Sequence, residues 1–364
     1  LQEGGEEVTG EHHVEADSLC EREGEVRYIP QIIFIFASMK AVCYYRYGGP
    51  DQLVFSDVPT PLLNPNQVLV RVKAASINSW DYDMLRGHTF IIRALSGWTK
   101  PRHPILGSDV SGVVESVGSA CSDWKPGDEV FGDIASAGFG SFAQYVAVPE
   151  KLLARKPASL TFHEAAALPQ AGLLAIQGLR YLGDVKPGQR VLINGAGGGV
   201  GPIALTYAKA RGAHVTCVDR AVKFDVLRVL GADEIIDYTT TDYTRTGQRY
   251  DKILDVIALR SASDYKRALT PHGVFAMIGG SMGGLLFRMM AIEPLLSKFR
   301  QQKLGIMGYR VSRRGLEELA HLFEEKTIHV AIDRTFTLAQ LRESFEYFES
   351  GAFKGKIVIE VEPG

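Results

Sequence analysis

The chain has 364 residues, of which 46% are hydrophobic and 23% charged, and a formal net charge of −2. That length accommodates two domains with separate cores, and the near-neutral balance excludes the basic stripe of a nucleic-acid surface. No apolar run reaches the roughly 18 residues of a membrane span. Cys20, Cys43, Cys121 and Cys217 form no C-x-x-C pair, which excludes a disulfide framework and a thiolate zinc site and fits the reducing cytoplasm.

Residues 1–30 carry nine acids against two bases, with few apolar side chains before Ile32-Ile33-Phe34-Ile35-Phe36. That composition predicts a disordered extension over 1–38, either a stretch upstream of a natural start at Met39 or a regulatory tail. From Met39 the pattern is β-rich. Strands are expected at 40–45, 67–74, 111–116, 129–131 and 141–148, with Pro59, Pro61, Asn64 and Pro65 marking turns. After Thr161 a helical period covers 162–182. A strand then opens at Val191, followed by helix 200–211, strand 214–218, helix 224–230 and strands 234–236 and 252–256. Such alternation predicts βαβ units and a parallel sheet. Helices at 315–326 and 338–350 and a strand at 356–361 complete the order. The domains expected are 39–161, 162–305 and a closing segment 306–364.

The most informative stretch is Arg190-Val-Leu-Ile-Asn-Gly-Ala-Gly-Gly-Gly-Val-Gly-Pro202. A short apolar run breaks at Asn194-Gly195 into small residues and resumes as a helix with Pro202 in its first turn. A glycine-rich turn between strand and helix lets backbone N–H groups and the helix dipole meet a pyrophosphate. The fingerprint G-x-G-x-x-G falls on Ala196, Gly198 and Gly201, with Gly197, Gly199 and Val200 among them. Asp219 ends the next strand, about 20 residues on, where a ribose diol requires an acceptor. Arg220 and Lys223 follow it and would instead pair with a 2′-phosphate. The aspartate therefore points to NADH and the two bases to NADPH. A purely structural strand–helix turn is the remaining alternative.

Seven motifs stand in order: Val68-Leu-Val-Arg-Val-Lys-Ala-Ala-Ser-Ile-Asn78, Gly107-Ser-Asp-Val-Ser-Gly-Val-Val-Glu-Ser-Val-Gly118, Lys125-Pro-Gly-Asp-Glu-Val-Phe131, Ala165-Ala-Ala-Leu-Pro-Gln-Ala-Gly172, the glycine-rich turn, Leu230-Gly-Ala-Asp233 and Gly355-Lys-Ile-Val-Ile359. Together they resemble the medium-chain dehydrogenase/reductases, most closely the zinc-independent quinone oxidoreductase-like branch, over residues 39–364. The resemblance implies an α/β protein: a GroES-like β-rich catalytic domain plus a doubly wound Rossmann domain binding NADPH or NADH, with NADPH favoured. Zinc-dependent members hold their metal through a Cys after the early strand and a His-Glu pair in the following glycine motif. Here those positions fall within Ser76-Ile77-Asn78 and on Ser108-Asp109, so no metal is expected. Hydride transfer to an already polarised quinone, enone or conjugated carbonyl remains feasible.

By the same resemblance Asn78 and Asp81 lie near the nicotinamide end. The phenols of Tyr47 and Tyr82 are candidates to protonate or bind an enolate oxygen, with packing as the alternative for each. After Gly87 stand His88 and Thr89, not the tyrosine of related enoyl reductases, which leaves solvent as a proton source. Gly172 and Ala175 resemble a cofactor-facing helix start, and Tyr238 a residue beside the adenine ribose. Ile257, Gly279 and Gly280 are expected along the nicotinamide side, with Lys354 and Lys356 near the cofactor. His103 is expected to be a loop residue. The apolar stretch 281–290 reads as a substrate wall or a dimer contact. The activity implied is reduction of a small apolar electron acceptor by a homodimer. A non-catalytic dinucleotide-binding protein and an alcohol dehydrogenase are the alternatives.

Overall fold

Side-chain alternation decides the first sheet. In β3 (Gln67–Ser76) Val68, Val70, Val72 and Ala74 are buried while their intervening neighbours are half-exposed, as a strand with one core face requires. The computed structural model describes residues 38–362 except 281–284, 286–288, 291–292 and 294–300. The acidic extension, and Met282, Leu286 and Phe287 of the apolar stretch, lie outside the described residues. A ribbon of β1 (Ser38–Cys43) and β2 (Val54–Pro59) precedes β3. β3 pairs antiparallel with β4 (Asp109–Val117), β6 (Tyr145–Pro149) and β15 (Lys356–Glu360). β5 (Glu129–Asp133) and β7 (Leu153–Arg155) extend this sheet beyond β4, and β14 (Ile332–Thr337) closes it beyond β15.

The second sheet is wholly parallel. Its centre is β8 (Arg190–Asn194), where Val191, Leu192 and Ile193 are all buried, the signature of a strand covered on both faces. With β9 (His214–Asp219), β10 (Glu234–Asp237), β11 (Tyr250–Asp255), β12 (Leu269–Met277) and β13 (Lys303–Ile306), the order is β10-β9-β8-β11-β12-β13. This doubly wound order reverses between β8 and β11, and the crevice beyond their carboxyl ends is where such sheets bind ligands.

The described helices are α1 (Ser79–Arg86), α2 (Phe90–Ser96), α3 (Phe162–Ala167), α4 (Pro169–Tyr181), α5 (Val200–Ala210), α6 (Phe224–Val229), α7 (Ala262–Ala268), α8 (Arg313–Glu324) and α9 (Leu341–Glu349). The helix expected over 162–182 is two, because Pro169 lacks the N–H that would continue α3 and instead occupies the first turn of α4. The break turns the Gln170 N–H onto Asp109 Oδ1 at 3.0 Å. Helices α1 and α2 escape a periodicity search through their shortness. Capping fixes them instead: an Asn78–Asp81 box starts α1, left-handed Gly87 ends it, and Thr89 starts α2.

Candidate active site

The glycine-rich turn leaves β8 at the switch point. Asn194 Nδ2 donates to Asp255 Oδ1 at 2.7 Å, tying the ends of β8 and β11 together. Gly195 then takes a left-handed φ of +80°, with Ile257 and Val256 against its bare face. At Gly201 a Cβ would overlap the Ala196 carbonyl, so glycine alone lets α5 pack this close to the turn. A Cβ on Gly198 would meet nothing nearer than the Gly195 oxygen at 3.5 Å. Bare backbone here and the N-terminus of the eleven-residue α5 form a cradle that suits a dinucleotide pyrophosphate.

At the adenosine end the acid is already engaged. Asp219 Oδ2 accepts from the Gly197 N–H at 2.8 Å, and Oδ1 accepts from the Arg220 N–H at 2.8 Å. Lys223 Nζ is 3.5 Å from Oδ1, and both side chains are buried. The same ammonium lies 4.7 Å from the centroid of Phe353. Arg220 is exposed and reaches the Ser350 carbonyl at 3.4 Å, while Tyr238 is half-exposed. Lys354 turns away from the turn to pair with Asp225 at 2.7 Å.

A buried polar cluster adjoins the other side of the turn. A Cβ on Gly199 would lie 2.8 Å from Lys356 Cδ. From there the Lys356 ammonium donates to Asn78 Oδ1 at 2.5 Å and the Ile77 carbonyl at 3.2 Å, and stands 3.3 Å from Asp109 Oδ2. Asn78 Nδ2 donates to Asp109 Oδ2 at 2.8 Å and Ser108 Oγ at 3.0 Å, and Ser76 Oγ donates to the same Asp109 oxygen at 2.9 Å. Asp81 buttresses the group from behind. It accepts from the Asn78 N–H, the Ser108 hydroxyl and the Gly107 N–H at 2.9, 3.0 and 3.1 Å. Burial pushes its carboxyl up to about 7, against the lowering pull of the Asn78 N–H.

A third acid extends the cluster. Asp133 accepts from the Tyr309 hydroxyl and from Gln170 Nε2. Burial, helped by the charge of Asp109, raises its carboxyl to about 6, and burial likewise drives the Tyr309 phenol upward. Among the described residues no group of three or more His, Cys, Asp or Glu is placed to hold a metal ion.

The structure brings Asn78 and Asp81 together with Lys356 and the glycine turn, and sets the two candidate phenols apart. The Tyr47 hydroxyl lies 2.7 Å from Ser96 Oγ and donates to the Gly97 carbonyl at 2.5 Å, and Tyr82 donates to Glu349 at 2.9 Å. In α4, Gly172 presents its bare face to Leu319 of α8, and Ala175 is buried in the core. Ala171 of that helix faces Gly199, its Cβ 3.8 Å from where a Gly199 Cβ would be. Gly279 and Gly280 make room for the Val256 and Ala258 backbone, and Ile257 is half-exposed above Gly195. His103 packs beside Phe139. Sequence reasoning missed Asp133, Gln170 and Tyr309, which only the fold brings together. It placed Ser108-Asp109 where zinc-dependent relatives carry their His-Glu pair, and so expected no metal, without foreseeing that Lys356 pairs there.

Two family models match the chain: an alcohol dehydrogenase GroES-like domain over residues 64–158 and a zinc-binding dehydrogenase over residues 230–359. A chloroplastic quinone-oxidoreductase of Triphysaria versicolor is 32% identical, the match covering 88% of this chain and 98% of the relative. A chloroplastic NADPH-dependent alkenal/one oxidoreductase of Arabidopsis thaliana is 31% identical over 88% of this chain and 79% of its own. Among solved structures, the quinone oxidoreductase of Coxiella burnetii superposes with a TM-score of 0.80 at 29% identity, covering 90% of this chain and 100% of that one.

Proposed function

This chain belongs to the quinone oxidoreductase-like branch of the medium-chain dehydrogenase/reductase superfamily, and we propose that it reduces a quinone, an enone or a related conjugated carbonyl with NADPH, without a metal. The observation that carries this reading is the Lys356 ammonium, bonded to Asn78 and beside Asp109. It stands at the motif positions that hold metal in zinc-dependent relatives. A fixed cation there repels a second one, and the neighbouring donors are an amide, hydroxyls and a carboxylate instead of thiolates and imidazole. A site without a Lewis acid suits an acceptor whose carbonyl is already polarised by conjugation.

The chain's own residues then divide the work. The cradle at Gly198 and α5 holds the pyrophosphate, and Asn78 and Lys356 fix the floor of the reaction site beside it. When bound, the dihydronicotinamide supplies the hydride. Asp81, being buried, acts as a positioning residue through Asn78. With the Tyr47 and Tyr82 hydroxyls spent on Ser96, Gly97 and Glu349, solvent is the proposed proton source. NADPH is preferred to NADH because the Asp219 oxygens point inward to Gly197 and Lys223 while Arg220 stays exposed.

The outer edge of β13 has no partner strand among the described residues, and we place a homodimer contact there, checked by light scattering. The free thiols of Cys43, Cys121 and Cys217 suit a reducing compartment such as the cytoplasm.

The deciding experiment follows oxidation of NADPH and NADH against a panel of quinones and enones, with metal content measured on the same protein. Turnover that survives chelation, and a larger thermal shift with NADPH, are expected. Tight dinucleotide binding with no turnover on any acceptor would favour a non-catalytic binder. Stoichiometric zinc with alcohol oxidation would overturn the proposal.

A further inference from the structure

Helix α2 turns apolar side chains outward as well as inward. Its inner face buries Ile92 and Ser96. Its outer face carries Phe90, Ile91 and Leu95 at 73%, 39% and 54% exposure, and Trp98, 53% exposed, continues the stripe. With exposed Ala94, positions 90, 91, 94 and 95 form one helical face, and Trp98, just beyond the end of α2, joins it through its ring. Phe90 and Trp98 meet edge-on with centroids 4.8 Å apart, so the two rings pack on each other and still face outward. A contiguous apolar patch of this kind marks a surface that binds something.

Charge identifies the occupant. Between Asp83 and Asp109 the chain has Arg86, Arg93, Lys100 and Arg102 and no acid, within a protein of net charge −2. Arg86 is matched by Glu349 at 3.6 Å. Arg93 is held by the Gly87 and Trp98 carbonyls and the Tyr47 ring. Lys100 and Arg102 are exposed beside Trp98, and neither side chain has a hydrogen-bond or ion-pair partner among the described residues. An apolar protein groove would match the rings and leave the cations unanswered. An anionic lipid surface answers both, with rings at the acyl boundary and cations at the headgroups.

We propose that the outer face of α2, with Trp98, Lys100 and Arg102, docks on an anionic lipid bilayer. Helix α1, which immediately precedes α2, is capped at its start by Asn78, so docking brings the polar cluster near the phase in which apolar acceptors dissolve.

The test sediments the full chain with phosphatidylcholine vesicles, with and without phosphatidylglycerol. Binding to the anionic vesicles, weakened by salt, is expected. Two double variants, Leu95→Glu with Trp98→Ser and Lys100→Glu with Arg102→Glu, should each lower the bound fraction by at least about tenfold with melting unchanged. The proposal falls if the parent binds neither vesicle, or if both variants bind as the parent does. It also falls if light scattering shows self-association that Leu95→Glu abolishes, which would assign the patch to a second copy. Vesicle binding needs no turnover, so this outcome is separate from the fate of the proposed activity.

Discussion

The glycine-rich turn and the polar cluster touch at Gly199 and Lys356, yet they are built in opposite ways. The turn is one contiguous stretch whose chemistry is backbone N–H and the absence of side chains. The cluster is chiefly side chains, drawn from β3, the start of α1, β4 and β15, with Asp133 of β5, Gln170 of α4 and Tyr309 extending it. A half made of bare backbone is damaged where a side chain is added at a close approach, whereas a half made of side chains fails when one partner is removed. The two halves should therefore break differently.

Gly201→Val tests the first half most severely. The clash is with the Ala196 carbonyl, which cannot rotate aside, so a loss of about 3 kcal/mol or outright unfolding is expected in a urea titration. Lys356→Met tests the second. It strips a fully buried Asp109 of the ammonium beside it, and the expected cost is about 3 kcal/mol. Adding Asp109→Asn should restore most of that loss, and no restoration in the double variant would show that the pair is not a unit.

Asp81 gives a pH signature. Its carboxyl is raised from 3.8 to about 7, so the folded state keeps a proton that the unfolded chain releases. Its contribution to stability is present below pH 3.8 and is lost as pH rises through about 7. Asp81→Asn should flatten stability against pH in that window by up to about 1.4 kcal/mol per pH unit. Asp133, raised to about 6, would leave a residual slope below it. Tyr82→Phe is the mild control: it removes one partly exposed bond to Glu349, and about 0.5 kcal/mol with turnover nearly unchanged is expected. A collapse of turnover in that variant would return a proton-donor role to the phenol.

The two halves also differ in how far a reader of the chain could see them. The turn, the strand before it and Asp219 after it lie within thirty residues, and their spacing carries the parallel sheet with it. Even there the role of Asp219 was legible only as an acid in the right place; that both its oxygens turn inward depends on where Lys223 and Gly197 fold. The cluster has no local signal at all. Nothing in the vicinity of Asp133 or Tyr309 announces that they will meet, because their meeting depends on how β5 and the segment after β13 approach. Lys356 was visible only as a lysine in a terminal strand, and its neighbour Lys354 looked equally suitable. Lys354 lies before β15 and is separated from Lys356 by Gly355, whose φ is +113°: Lys356 turns into the cluster and Lys354 outward to Asp225. The division of α3 from α4 was written in Pro169, but a helical period on either side of it hid the break.

Asn78 and Lys356 are 278 residues apart, and that distance sets an order of events during synthesis. The catalytic sheet emerges first, with the Ala74–Ser76 end of β3 waiting for Val358, Ile359 and Glu360, and the entire dinucleotide-binding half must leave the ribosome before the partner strand exists. A nascent chain therefore carries an incomplete sheet edge for most of its translation. Ribosomes stalled before residue 356 would hold a folded dinucleotide half beside an unfinished catalytic one, a form that chaperones should recognise and the completed protein should never present.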